Sequence, residues 1–161
     1  WKLLRQRLPD TEEELKIVMN LNTDHLLRCI RTLEASVERY HQAVPESIDH
    51  EIFRNAIVKG YELAQETSHK LLRKALIEFG YSTRKLDETS ARNVLRLAAT
   101  HGLMTLEEVE RWFTYQTNRN FTAHDYGEGF AKETMALLPA FIADSRKLEA
   151  TLREKLGHDQ A

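Results

Sequence analysis

Eight consecutive residues, Arg119-Asn120-Phe121-Thr122-Ala123-His124-Asp125-Tyr126, bring together a guanidinium, an amide, an imidazole, a carboxylate and a phenol. That set suits cleavage of RNA without a metal. The 2′-hydroxyl must lose a proton, the departing 5′-oxygen must gain one, and the phosphorane between them carries added negative charge. A histidine titrates near neutrality and can serve either proton transfer. An arginine grips phosphate through its planar fork and stabilises the added charge. A lone histidine is commonly structural, but here it stands five residues after Arg119 and two before Tyr126. At about 100° per residue, Arg119 and Tyr126 share a helix face while His124 lies about 140° from Arg119. Either a helix breaks in this stretch or a second copy of the chain brings the groups together. One histidine cannot readily perform both transfers at once, and a two-fold dimer would supply a second His124.

The elements that must position this stretch read as helices. Residues 1–10 are basic and amphipathic and end at Pro9-Asp10, as a loose arm or short packing helix would. Asp10 or Thr11 then caps a helix with Glu12, Glu13 and Glu14 in its first turn. Leu15, Met19, Leu26, Ile30, Leu33, Val37 and Tyr40 form a core-facing stripe reaching about residue 42. Asn20-Leu21-Asn22-Thr23-Asp24 is a poor helix interior, so a kink or restart is expected there. After a turn at Ala43–Ser47, Ser47 or Asp49 caps a second long helix that ends at Gly80, with a stripe from Phe53 to Phe79. Tyr81 to Thr89 reads as a polar loop, and Ser90 opens a short helix stopped by Gly102. Thr105-Leu106-Glu107-Glu108 is a capping box for the helix that enters the Arg119–Tyr126 stretch, with Val109, Trp112 and Phe113 inward. Gly127-Glu128-Gly129 is expected to interrupt it. A last helix, from about Phe130 to Lys155, then packs through Met135, Leu138, Phe141, Ile142, Leu148 and Leu152, with a kink expected at Pro139. The pattern predicts an all-α, up-and-down bundle forming one domain over residues 1–161, of which 1–22 are an N-terminal extension.

Composition narrows the function classes. The chain has 161 residues, 42% apolar and 30% charged, with a formal net charge of −2. Any RNA contact must therefore come from a local patch rather than a basic protein as a whole. The single cysteine, Cys29, rules out an internal disulfide framework and fits a reducing cytoplasm. No apolar run approaches the roughly 18 residues that a membrane span needs. Two Glu-x-x-His pairs, Glu38/His41 and Glu66/His69, raise the question of a di-metal centre. An antiparallel turn near Pro45 sets residue 39 opposite about residue 51, which leaves the second pair roughly 24 Å too far along. No cofactor or metal is expected.

Arg-x4-His-x-Tyr at 119–126, entered from an amphipathic helix and followed by a last bundle helix, resembles the HEPN superfamily. Within it, the chain is most similar to the nucleotidyltransferase substrate-binding proteins related to HepT toxins, over about residues 25–155. Leu27-Arg28-Cys29-Ile30-Arg31-Thr32-Leu33-Glu34, Tyr61-Glu62-Leu63-Ala64 and Ala98-Ala99-Thr100-His101-Gly102-Leu103 support the resemblance. The chain departs from that group in having Gln65-Glu66 where Trp-Lys is usual, and in a longer segment before residue 23. The resemblance implies a four- or five-helix bundle that dimerises and sets Arg119 and His124 of both protomers in one cleft as ribonuclease residues. It also implies a partner, a minimal nucleotidyltransferase (MNT) antitoxin that transfers AMP to the motif tyrosine, here Tyr126. Asn120, one helical turn before His124, would support the motif. Glu62, polar within a mainly apolar stretch, is a candidate to line the cleft. Two functions remain open: an RNA-cleaving toxin neutralised by that nucleotidyltransferase, or a non-catalytic substrate-binding subunit of it.

Overall fold

The computed structural model describes residues 21–122 and 128–157, without the side chains of 120–122 and 128–131. The described residues form six helices and no strand: α1 Asp24–Gln42, α2 Ile48–Glu78, α3 Thr83–Asp87, α4 Ala91–Thr100, α5 Leu106–Thr122 and α6 Glu128–Leu156. Among them no helix is long and apolar enough to cross a membrane. The expected helix from Asp10 or Thr11, with Leu15 and Met19, lies outside the described residues.

A helix start does fall where the polar stretch predicts one. Asn22 Oδ1 accepts the Asp24 N–H at 2.8 Å, and α1 begins there. Thr23 occupies the cap position without capping; its hydroxyl donates instead to buried Glu149 of α6 at 2.8 Å. The Leu21 N–H donates to the Leu156 carbonyl at 2.9 Å, so the two described ends of the bundle are tied together. Leu26, Ile30 and Leu33 are buried along one face of α1, with Val37 and Tyr40 packed half-buried beyond them. That face lies on α2, where a Cβ at Gly60 would meet Leu33 Cδ1 at 3.2 Å, so glycine permits the close approach. The connection turns through Glu46 in the left-handed region (φ 66°), and Ser47 caps α2 by accepting the His50 N–H.

Ile57, Tyr61, Ala64, Ser68, Leu71, Leu72 and Ala75 of α2 are buried as the periodicity predicts. Phe79 is not: it is 40% exposed and stacks on His101, which in turn bonds the Tyr81 hydroxyl at 2.9 Å. The expected polar loop holds a helical turn, α3, capped by Ser82 and anchored by buried Leu86. Ser90 caps α4, and Gly102 (φ 73°) ends it as the chain reverses. The capping box forms reciprocally: Thr105 Oγ1 accepts the Glu108 N–H at 3.1 Å while Glu108 accepts the Thr105 N–H at 3.4 Å. Helix α6 begins at Glu128 rather than near Phe130, so Glu128 and Gly129 belong to it instead of interrupting the chain. Helical context on one side outweighs the low helix propensity of glycine. Pro139 lies inside α6 on its exposed face. At the centre of the core, Tyr61, Trp112 and Tyr115 meet Phe141 edge-on, with ring centroids 4.7 to 5.5 Å apart.

Candidate active site

Helix α5 carries the chain toward the candidate motif, and two buried polar clamps fix its course. In the first, Asp144 of α6 accepts from Arg111 Nε and Nη2 at 2.8 and 2.9 Å and from the Tyr115 hydroxyl at 2.6 Å. Burial alone would raise the Asp144 pKa, but the Arg111 and Tyr115 hydrogen bonds and the positive charge overcome it and hold the carboxyl below its usual value. The second clamp lies one residue before Arg119. Asn118 Nδ2 donates to the Tyr61 hydroxyl of α2 at 3.4 Å and to Thr134 Oγ1 of α6 at 3.1 Å. The Tyr61 hydroxyl donates onward to the Tyr115 carbonyl at 3.2 Å. Burial pushes the Tyr61 phenol up to about 12, against the lowering effects of Asn118, Gln65 and the Arg119 charge, so it stays a donor at any physiological pH. The Gln65 amide lies close to that hydroxyl but outside hydrogen-bond geometry.

Clamped this way, the last turns of α5 present Trp112, Gln116 and Arg119 on one face, at helical spacings of four and three. Together with α2 and the start of α4, this face encloses a cleft of about 600 Å³. Gln65, Ser68 and His69 of α2 line it, and Leu72 and Leu95 supply apolar wall. Lys70, Arg73, Arg92 and Arg119 contribute four cations against the single carboxylate of Glu66. Some of these charges are already tied. Arg73 pairs with Asp87 at 3.6 Å and donates to the Thr89 carbonyl; Arg92 donates to Thr117 at 3.0 Å and lies over the Phe113 ring; Lys70 pairs with Glu66. His69 is pushed down to about 4, by burial first and then by the charges of Arg73 and Arg119, so its imidazole is neutral.

The predicted site residues divide as follows. Arg119 is half-buried within α5, lines the cleft, and acts electrostatically on His69 and Tyr61. Asn120 is the next residue of the same helix, but its side chain is outside the described set. His124 and Tyr126 lie outside the described residues altogether. Glu62 is half-buried beside Lys59, in a separate shallow hollow with Asn55 and Val58, and does not line the Arg119 cleft. Of the two Glu-x-x-His pairs, Glu38 sits on exposed α1 surface near Gln42, and Glu66 and His69 belong to the cleft. Sequence reasoning missed the cleft floor. Its signal was present in Gln65 and Ser68, two polar residues on a helix face otherwise reserved for the core.

Comparison with known proteins bears on most of the chain. A family model described as "Nucleotidyltransferase substrate binding protein like" matches residues 21–154. A Haemophilus influenzae protein described as a probable ribonuclease HepT is 24% identical over 127 residues, 79% of this chain and 85% of that protein. The fold is similar to that of a tri-AMPylated Shewanella oneidensis HEPN toxin solved in complex with an MNT antitoxin. That likeness has a TM-score of 0.56 at 14% identity, over 81% of this chain and 97% of the other.

Proposed function

We propose, from the premise that this chain belongs to the nucleotidyltransferase substrate binding protein like family, that it is a HEPN-type toxin. It acts as a metal-independent endoribonuclease and is neutralised by a cognate MNT-type nucleotidyltransferase. One observation carries this reading: Arg119 stands on a doubly clamped helix end, in a cation-rimmed cleft, immediately before the histidine-bearing stretch. Similarity to a protein described as a ribonuclease supports it, and the fold likeness to a toxin solved with its antitoxin suggests the partner.

In this mechanism His124 removes the 2′-hydroxyl proton, O2′ attacks phosphorus, and the 5′-oxygen leaves with a proton from the His124 of a second copy. The products are a 2′,3′-cyclic phosphate and a free 5′-hydroxyl. Arg119 holds the phosphate and stabilises the phosphorane. Asn120 and Glu62 take supporting roles, Glu62 across the homodimer, since within one protomer it lies apart from the cleft. Tyr126 accepts AMP from the partner, and the added phosphate occupies the groups meant for RNA. This reading places the protein in the cytoplasm, where it would meet RNA.

The test is incubation of the purified chain with total RNA in EDTA. Cleavage is expected from the wild type, with none from His124→Ala or Arg119→Lys, because lysine lacks the bidentate fork. Cleavage surviving His124→Ala, or abolished by EDTA, refutes the mechanism. The family's description itself favours a second reading, a non-catalytic substrate-binding subunit. Absence of growth arrest when the chain is expressed alone would decide for that one.

A further inference from the structure

Six buried side-chain nitrogen or oxygen atoms among the described residues have no hydrogen-bond partner. Five of them belong to residues that line the cleft beside Arg119: both amide atoms of Gln65, Ser68 Oγ, His69 Nε2 and Trp112 Nε1. Gln65, Ser68 and Trp112 are only 4%, 1% and 2% exposed. Folded proteins leave few buried polar atoms unpaired by protein or water, so a cluster of them beside one cavity marks a candidate place for a ligand to complete the pairing. The chemistry of the floor narrows the ligand. Gln65 offers a donor and an acceptor side by side, Trp112 a donor only, and Ser68 either. His69, held neutral, adds one more uncharged polar group. No carboxylate and no cation lies among these unpaired groups, which suits a neutral, planar, polar ligand rather than an ion. Leu72, Leu95 and the Trp112 ring supply apolar surface for its faces. The cations lie around this floor, where phosphates flanking such a ligand would sit.

We propose that this cleft is a base-binding subsite, in which Gln65, Ser68, His69 and Trp112 read the edge of one unpaired RNA nucleobase adjoining the phosphate held by Arg119. This rests on the reading of the chain as a ribonuclease and adds to it the determinant of where RNA is cut. An amide recognising a base edge in two-point fashion is a recurrent device, and unpaired RNA bases are read along those edges. The volume of about 600 Å³ admits a nucleotide.

Binding is measured by fluorescence anisotropy with labelled 2′-O-methyl RNA hexamers, which cannot be cleaved because the attacking hydroxyl is blocked. Hexamers differing at one central base are compared on the full-length wild type, Gln65→Leu and Ser68→Ala, alongside the four free nucleoside 5′-monophosphates. The wild type should prefer one base. Gln65→Leu should lose about tenfold in affinity for the preferred hexamer and lose the preference. Both variants should melt at or above the wild-type temperature, because each removes an unpaired buried polar group; a purely structural role would lower it. Equal affinity and preference in the wild type and Gln65→Leu overturn the subsite. So does tighter binding of a monophosphate than of any hexamer, which would make the cleft a free-nucleotide site. Failure of the ribonuclease reading looks different: natural RNA stays intact while base-selective, Gln65-dependent hexamer binding persists, and the subsite stands. Conversely, a cleavage pattern on natural RNA that Gln65→Leu leaves unchanged overturns the subsite alone.

Discussion

Replacing Asn118 by alanine tests whether the buried clamp before Arg119 holds the motif helix in place. The substitution removes two hydrogen bonds, to the Tyr61 hydroxyl at 3.4 Å and to Thr134 Oγ1 at 3.1 Å. Each contributes about 1 kcal/mol net, and Thr134, only 1% exposed, is left short of its donor at some further cost. The expected loss is about 2–3 kcal/mol, or roughly 5–10 °C in Tm for a domain of this size. Tyr61→Phe should cost less, about 1–2 kcal/mol, because the Tyr115 carbonyl that loses the phenol can still accept a bond within α5. The two side chains share one bond, so the double mutant should fall short of additivity by about 0.5–1 kcal/mol. Urea titration followed by far-UV circular dichroism measures all three variants. A loss under about 0.5 kcal/mol for Asn118→Ala, or strict additivity of the pair, would refute the clamp. If the clamp holds Arg119 for catalysis, cleavage by folded Asn118→Ala should also drop further than its unfolded fraction explains.

Two further outcomes follow from the same geometry, and a third from the proposed role of Tyr126. The folded pKa of His69, about 4, lies below its ordinary 6.5, so the unfolded chain takes up the proton first as pH falls. The stability this group contributes is present above pH 6.5 and lost as pH drops toward 4, by ~2 kcal/mol after allowance for solvent screening, and His69→Gln should flatten that part of a pH–stability curve. Asp144→Ala should cost about 3 kcal/mol in denaturant titration, chiefly because it strands the buried Tyr115 hydroxyl; Arg111 is half exposed and can rehydrate. Tyr126→Phe should keep ribonuclease activity, escape silencing by the cognate nucleotidyltransferase with ATP, and show no AMP adduct by mass spectrometry. Adducts persisting on that variant would refute Tyr126 as the acceptor.

Legibility in the sequence followed the strength of local signals. Ser47, Ser90 and the Thr105–Glu108 box mark helix starts through their own side-chain chemistry, and each caps where expected. Leu26, Ile30 and Leu33 repeat often enough for their face to be unambiguous. Helix α3 escaped because five residues with one buried leucine are too few to show a period. Gly129 misled because glycine's propensity is weak beside the packing of the long helix it joins. Arg119 stood out by type and spacing. Its cleft did not, since Ser68 passes for a small core residue and His69 was absorbed into a Glu-x-x-His pair. What makes these residues a floor is that α4 and α5 converge on α2 there, a long-range fact that no local pattern encodes.

The tied arginines on the cleft rim have a consequence for timing. Arg73 is held by Asp87 and the Thr89 carbonyl, and Arg92 by Thr117 and the Phe113 ring. Part of their rotational freedom is therefore given up when the chain folds, before a ligand arrives. A rim of loose lysines would adapt to any polyanion and order itself anew around each. Two tied forks among the four rim cations narrow the separations at which positive charge is offered, while exposed Lys70 can still adapt. On the ribonuclease reading, a ribose-phosphate backbone whose spacing matches the tied arginines would need less reorganisation than an anion of another spacing.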